Sequence, residues 1–262
     1  MRHPSSENPC KVHWSLAFAI AVFAGWTAVM PAGAQTYPSH PVRIVTGGVG
    51  GGSDFTSRLL AAGLSASLGQ QVVVDNRASG VLPAELVSKA TPDGHTLLVI
   101  SNTLWLSPLL QTTPFDPLRD FVPITLTNRA PNVLVVHPSV QARDVRELIA
   151  LARERPGQLS YSSGSTGASS HLAAEMFKVL AQVNIVRIPY KSGATEIVDL
   201  LSGQVHLTFG TAPSVMQYVR SGKLRGLAVT SAQPFSLAPG LPTVAAAGLP
   251  GYESETVAGL LA

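Results

Sequence analysis

The chain is 262 residues long, and 18 basic against 15 acidic residues leave a formal net charge of +3. That balance is too weak to mark a nucleic-acid partner, no Lys/Arg cluster suggests a polybasic membrane patch, and a single cysteine excludes a disulfide framework. The length accommodates one large or two small domains, and low charge with abundant Ala, Gly and Pro fits a compact α/β protein with many short turns.

The chain opens with Arg2 and Lys11, an apolar run from Trp14 to Val29, and the small residues Ala32-Gly33-Ala34. This order predicts a cleaved export signal over residues 1–34 with Gln35 as the first mature residue. The run is short for the ~20 residues of a membrane span. Cys10 precedes it and leaves with the signal. Strands are then expected at Val42–Val45, Gln71–Asp75, Thr96–Ser101, Val122–Thr127, Asn132–His137, Asn184–Pro189, Gln204–Phe209 and Leu224–Thr230. Helices are expected at Asp54–Leu68, Pro83–Ala90, Val145–Arg155, Ser169–Ala181, Ala194–Ser202 and Pro213–Ser221. The strands are mostly continuous apolar runs, as when helices cover both faces of a sheet. Alternation of this kind predicts mostly parallel sheets with right-handed crossovers. Gly69, Gly157, Gly203 and Gly222 stand just past helical patterns, where a left-handed C-cap is useful, and Asp144 suits an N-cap.

Four strand-to-helix turns carry the candidate chemistry. In the first, Val42–Val45 runs into Thr46-Gly47-Gly48-Val49-Gly50-Gly51-Gly52-Ser53-Asp54, and a helix pattern begins at once. Unpartnered N–H groups and a helix N-terminus then converge where an anion can bind; the plain alternative is a tight turn without a ligand. The Rossmann fingerprint fails for want of its third glycine, although Asp75 stands where a ribose-binding acid would, and a P-loop fails for want of lysine. Gly50, Gly51, Gly52, Ser53 and Asp54 are the candidates here, with Ser101 and Asn102 at the end of the third strand. The second turn, Ser160 to His171, is either a surface loop with Ser169 or Ser170 as N-cap, or a second cradle of neutral donors. Its candidates are Ser163, Ser165, Thr166, Gly167, Ser169 and His171, though a lone histidine in a first helical turn is more often structural. Ser163 stands two before Ser165 where a nucleophile elbow needs glycine, so the hydrolase motif is not met. The third and fourth turns offer Tyr190, Ser192 and Thr211. Together the four would form a crevice at the carboxyl ends of the strands. His40, His95, His137 and His206 are spread along the chain without metal-ligand spacing, so no metal is expected.

The order and spacing of many short motifs resemble the periplasmic solute receptors of tripartite tricarboxylate transporters, the TctC or Bug-type receptors. The carrying segments include Tyr37 to Val45, Gly50-Gly51-Gly52-Ser53-Asp54, Val72 to Arg77, Pro92-Asp93-Gly94-His95, Phe115 to Phe121 and Pro131 to Val136. They continue with Ser169-Ser170-His171-Leu172-Ala173, Val186 to Lys191, Gly222 to Thr230, Leu241 to Val244 and Gly248 to Gly251. The resemblance implies an α/β, two-lobed periplasmic-binding-protein fold closing around a small carboxylate. Lobe 1 would comprise 35–130 and 229–262, and lobe 2 would comprise 131–228. It implies a monomeric receptor, not an enzyme, without cofactor or nucleic-acid partner, working with membrane transporter subunits or a sensor protein. It also implies that no basic side chain need contact the anion. Three departures stand out. The first loop is one residue short. Gly210 stands where an acidic residue is frequent, which disfavours a ligand ammonium. The apolar stretch Val257 to Ala262 leads, in relatives, into a further segment, so a C-terminally short chain with an incomplete first lobe and unshielded apolar residues is expected. Two other readings stay open: an exported enzyme acting on a small acid on the same fold, and a truncated receptor without binding competence.

Overall fold

The computed structural model describes residues 36–78 and 80–262, so the expected export signal lies outside the described residues. The first half of the fold is built on β1 (Val42–Thr46), whose Val42, Ile44 and Val45 are fully buried. Two parallel neighbours flank it, β2 (Val72–Asn76) and β3 (Thr96–Ser101). The glycine-rich turn after β1 feeds α1 (Gly52–Leu68), which stops at Gly69 with φ of 65°. Then follow α2 (Leu82–Ser88) and α3 (Thr103–Leu110). The second half uses α4 (Val145–Glu154), β5 (Ser160–Ser163), α5 (Ser169–Ala181), β6 (Val186–Pro189), α6 (Gly193–Leu201), β7 (Leu207–Thr211), α7 (Ala212–Arg220) and β8 (Arg225–Val229). Asp144 caps α4 as expected, accepting from the Glu147 N–H at 2.8 Å.

One long strand joins the halves. β4 (Pro123–Val136) pairs antiparallel with β9 (Glu255–Leu261) up to Pro131, then from Asn132 onward with β7 and β8. The Asn-Arg-Ala-Pro-Asn run reads in sequence as a break between two strands. The chain stays extended because Pro131 falls where the strand changes partners, and register shifts before Thr125 and Asn128 absorb the mismatch. The sheet order is β2-β1-β3-β9-β4-β7-β5-β6, with β8 added on β4. It is a mixed α/β architecture: β1, β2, β3 and β5, β6, β7 pair in parallel, whereas the joining strands β4 and β9 run antiparallel to their neighbours.

Each half has core on both faces of its sheet. Val45, Leu98, Leu104 and Leu261 pack on one face of the first half, and Ile44, Val99 and Leu260 on the other. In the second half Phe177, Phe209 and Tyr252 form an aromatic cluster with centroids 5.7–6.4 Å apart, opposite a cluster of Val133, Leu200 and Val215. Ala258, Leu260 and Leu261 are buried between β3 and β4, so the apolar stretch expected to stand open is shielded as a central strand. Among the described residues no helix is long and apolar enough to cross a membrane.

Candidate functional site

The carboxyl ends of β1, β3, β5, β6 and β7 border one cavity of about 450 Å³, within the range of small-molecule sites. The cavity is where helices begin. No side chain caps α1, α5 or α7, whose N-cap residues are Gly51, Ala168 and Thr211. The first N–H groups of a helix lack intrahelical partners, so α1 and α5 present donors and partial positive charge from opposite walls. At α7, Pro213 removes one of these donors. α6 differs, because Ser192 caps it by accepting from the Ala194 N–H at 3.2 Å.

The first wall is backbone. Gly50, Gly51, Gly52, Ser53 and Asp54 all line the cavity, as does Ser101. Asp54 is a brace rather than an open acid. It accepts from the Gly50 N–H at 3.0 Å and from Asn76 Nδ2 at 2.8 Å, and pairs with Arg58 at 3.0 Å. Burial alone would raise its pKa, but these donors together hold the carboxyl below the ordinary carboxylate value. Gly50 thereby spends its N–H on Asp54, which leaves the N–H groups of Gly52 and Ser53 for a ligand. The glycines also have a purpose that the sequence reading did not supply: they let the two halves touch. A Cβ on Gly48 would lie 2.3 Å from the Lys191 carbonyl, and one on Gly193 would lie 2.8 Å from the Gly50 carbonyl. The Val49 carbonyl accepts from the Gly193 N–H and from Ser192 Oγ, both at 3.1 Å.

The second wall is side chains. Ser165, Thr166 and Ser169 line the cavity, with Tyr190, Ser192 and Thr211 beside them. Tyr190 donates to Asp199 at 2.7 Å, and burial together with that carboxylate pushes its hydroxyl up to about 12. Ser170 accepts from the Gly164 N–H at 3.1 Å, and both residues belong to the wall although neither was a candidate. Four candidates lie outside the cavity wall. Asn102 pins β9 instead, donating to the Glu255 carbonyl at 3.1 Å and accepting from the Val257 N–H at 2.7 Å. Ser163 is fully buried and accepts from Arg187 Nε at 2.8 Å. Gly167, with φ of 82°, donates its N–H to His171 Nδ1 at 3.3 Å and accepts from Thr103 at 3.4 Å. His171 is thus a loop brace; burial, with Arg187 nearby, lowers its pKa and favours the neutral ring.

Three charged residues of the wall were not foreseen: two basic and one acidic. Arg187 and Lys191 both line the cavity, so the expectation of a pocket built from neutral donors alone does not hold. Arg187 read as an ordinary strand residue; its place on β6 beside β5 brings it to the 163–166 loop. The unforeseen acid is Glu196, which stands in the first turn of α6. It is almost fully buried and accepts from Thr208 at 2.6 Å and Ser162 at 3.1 Å. Burial pushes its carboxyl above the usual value despite those donors. This wall therefore holds a buried carboxyl beside Gly210, where a Cβ would meet Val215 Cγ1 at 2.5 Å. The histidines are less scattered than the sequence suggests. Pairing of β1 with β3 stacks His40 on His95, with centroids 3.7 Å apart, and ligand atoms of these two and Asp93 lie within 4.8 Å of one another. None of the three lines the cavity.

With this geometry in hand, comparisons with known proteins give one answer. A family model described as a tripartite tricarboxylate transporter family receptor matches residues 56–262. The BugT protein of Bordetella pertussis is 36% identical over 244 residues, covering 90% of this chain and 75% of BugT. The Rpa4515 protein of R. palustris, solved with adipate, superposes with a TM-score of 0.83 at 37% identity, covering 86% of this chain and 77% of that one. MatC from Rhodopseudomonas palustris, solved with bound malate, gives 0.81 at 26% identity, covering 86% and 79%.

Proposed function

Since the chain belongs to the tripartite tricarboxylate transporter receptor family, we propose that it is an extracytoplasmic solute receptor binding a small carboxylate in the cavity between its two lobes. Within this reading the lobes exchange partners along β4 near Pro131 and Asn132, and the chain returns to the first lobe after β8. One carboxylate sits against the N–H groups of Gly52 and Ser53. From the opposite wall, the first turn of α5 and the hydroxyls of Ser165, Thr166 and Ser169 complete its contacts. The observation that carries the proposal is the meeting of uncapped helix N-termini from both walls at one cavity. Each terminus contributes ~0.3–1 kcal/mol toward an anion, and up to ~2 when partly buried. With several N–H and O–H donors added, micromolar binding, about −8 kcal/mol, is within reach. The dicarboxylates held by the Rpa4515 and MatC proteins are of the same chemical class. The receptor acts in the periplasm after removal of the export signal, as a monomer, and delivers its ligand to membrane transporter subunits or a sensor protein.

Thermal-shift measurements with adipate, malate, nicotinate and aspartate test this reading. A ligand at a hundred times its Kd stabilises by about 2.7 kcal/mol, a rise of roughly 5–10 °C in Tm for a chain of this size. A well-folded sample whose Tm ignores every acid would contradict it.

A further inference from the structure

We propose that Arg187 is the specificity-determining residue of the cleft and takes the second carboxylate of a dianionic ligand, so that charge selects diacids over monoacids. The inference rests on the receptor reading above and adds a named residue to it. Arg187 stands on β6, half-buried, in the cavity wall. Its guanidinium is held in place by neutral oxygens only: Nε donates to Ser163 Oγ at 2.8 Å, Nη1 to Thr166 Oγ1 at 3.3 Å, and Nη2 to the Gly164 carbonyl at 2.9 Å. A guanidinium has five N–H donors, so Nη1 and Nη2 each keep one for a ligand. None of the ion pairs among the described residues includes Arg187.

The surrounding charges leave its positive charge uncompensated. Glu175 is paired with Lys178 at 2.7 Å and also accepts from Tyr161. His171 favours its neutral form, and Asp54 across the cavity is spent on Arg58. Glu196 is buried among hydroxyls, and Lys191 adds a second positive charge at an exposed position. The two walls thus differ in kind: helix N–H groups of α1 donate to any carboxylate, whereas Arg187 offers a rigid, charged fork suited to a second one. Charge-assisted bonds of this kind correspond to roughly ten- to hundredfold in affinity.

The test is calorimetric titration of the purified protein with adipate and with adipate monomethyl ester, matched in length and differing in one charge. Wild type should prefer the diacid by about tenfold or more, with the preference shrinking as salt rises. Arg187→Gln should lose at least about tenfold more affinity for the diacid than for the monoester, and Arg187→Lys should restore part of the preference. Equal wild-type binding of diacid and monoester would overturn the proposal and leave the receptor reading intact. Equal loss of both ligands in Arg187→Gln and Arg187→Lys would also overturn it, since a loop brace behaves so. A folded wild type that binds neither acid would overturn the receptor reading and this proposal together.

Discussion

The two walls of the cleft reach the same point by different means. The β1–α1 wall is glycine backbone, with its one acid, Asp54, turned to bracing the loop. The wall from β5, β6 and β7 is side chains: hydroxyls, the buried Glu196 and the guanidinium of Arg187. Backbone N–H groups at a helix start recognise a negative charge without discriminating its carrier. Side chains add discrimination, and they are the part that a substitution can change without unmaking the turn. The comparison also separates two reasons for glycine. Gly50 needs its positive φ of 81°, whereas Gly48 and Gly193 need empty space so that the halves can approach.

The largest effect should come from filling that space. Gly48→Ala places a Cβ 2.3 Å from the Lys191 carbonyl, where the loop cannot yield without opening the contact. An overpacking cost of about 1–3 kcal/mol weakens ligand binding by roughly ten- to hundredfold. Titration should show that loss together with a fall of several degrees in Tm, since the fold already makes the Gly48–Lys191 contact; unchanged affinity would mean that the contact does not shape the site. Next in size, Asp54→Ala strips the Gly50 N–H and Asn76 of their acceptor, and chemical denaturation should register a loss of about 1–3 kcal/mol. Its pH signature has a definite sign. A carboxyl held below its ordinary value stabilises the fold above the unfolded pKa of about 3.9, and that contribution is lost as pH falls through the lower native value. Wild type should therefore weaken more than Asp54→Ala below that pH. The smallest effect belongs to Glu196. Its raised pKa contributes stability that is full below the unfolded value of about 4.3 and is lost as pH rises through the native value. Glu196→Gln keeps the acceptor for Thr208 and Ser162, so its Tm relative to wild type should climb between pH 4 and 8. A flat difference across that range would show the carboxyl to be already ionised in the fold.

Much of this was legible in the residues. An apolar strand, a glycine run and a periodic helix leave few alternatives, and the β1–α1 wall follows from them. The reading was weaker wherever tertiary contacts overrule local pattern. Ser160-Tyr161-Ser162-Ser163 looks like a loop, yet it forms β5, because Glu196 and Arg187 supply partners for Ser162 and Ser163 inside the fold. The helix Thr103–Leu110 carries Pro108 inside it and no capping side chain, so nothing local announces it. Trp105, on that helix, does not line the cavity and so is not placed to report on a ligand directly. Asn102 and Ser163 carry the right chemistry at strand ends, but only three-dimensional pairing decides whether a polar atom meets a ligand or a neighbouring strand. The same holds for His40 and His95, brought together by strand pairing across more than fifty residues.

A crystal structure of the protein grown with adipate examines the central claim most directly. One carboxylate should lie with an oxygen about 3 Å from the N–H of Gly52 or Ser53, and with Ser165, Thr166 or Ser169 on its other side. Adipate seated in the cleft without touching the first turn of α1, or bound elsewhere on the molecule, would contradict the account.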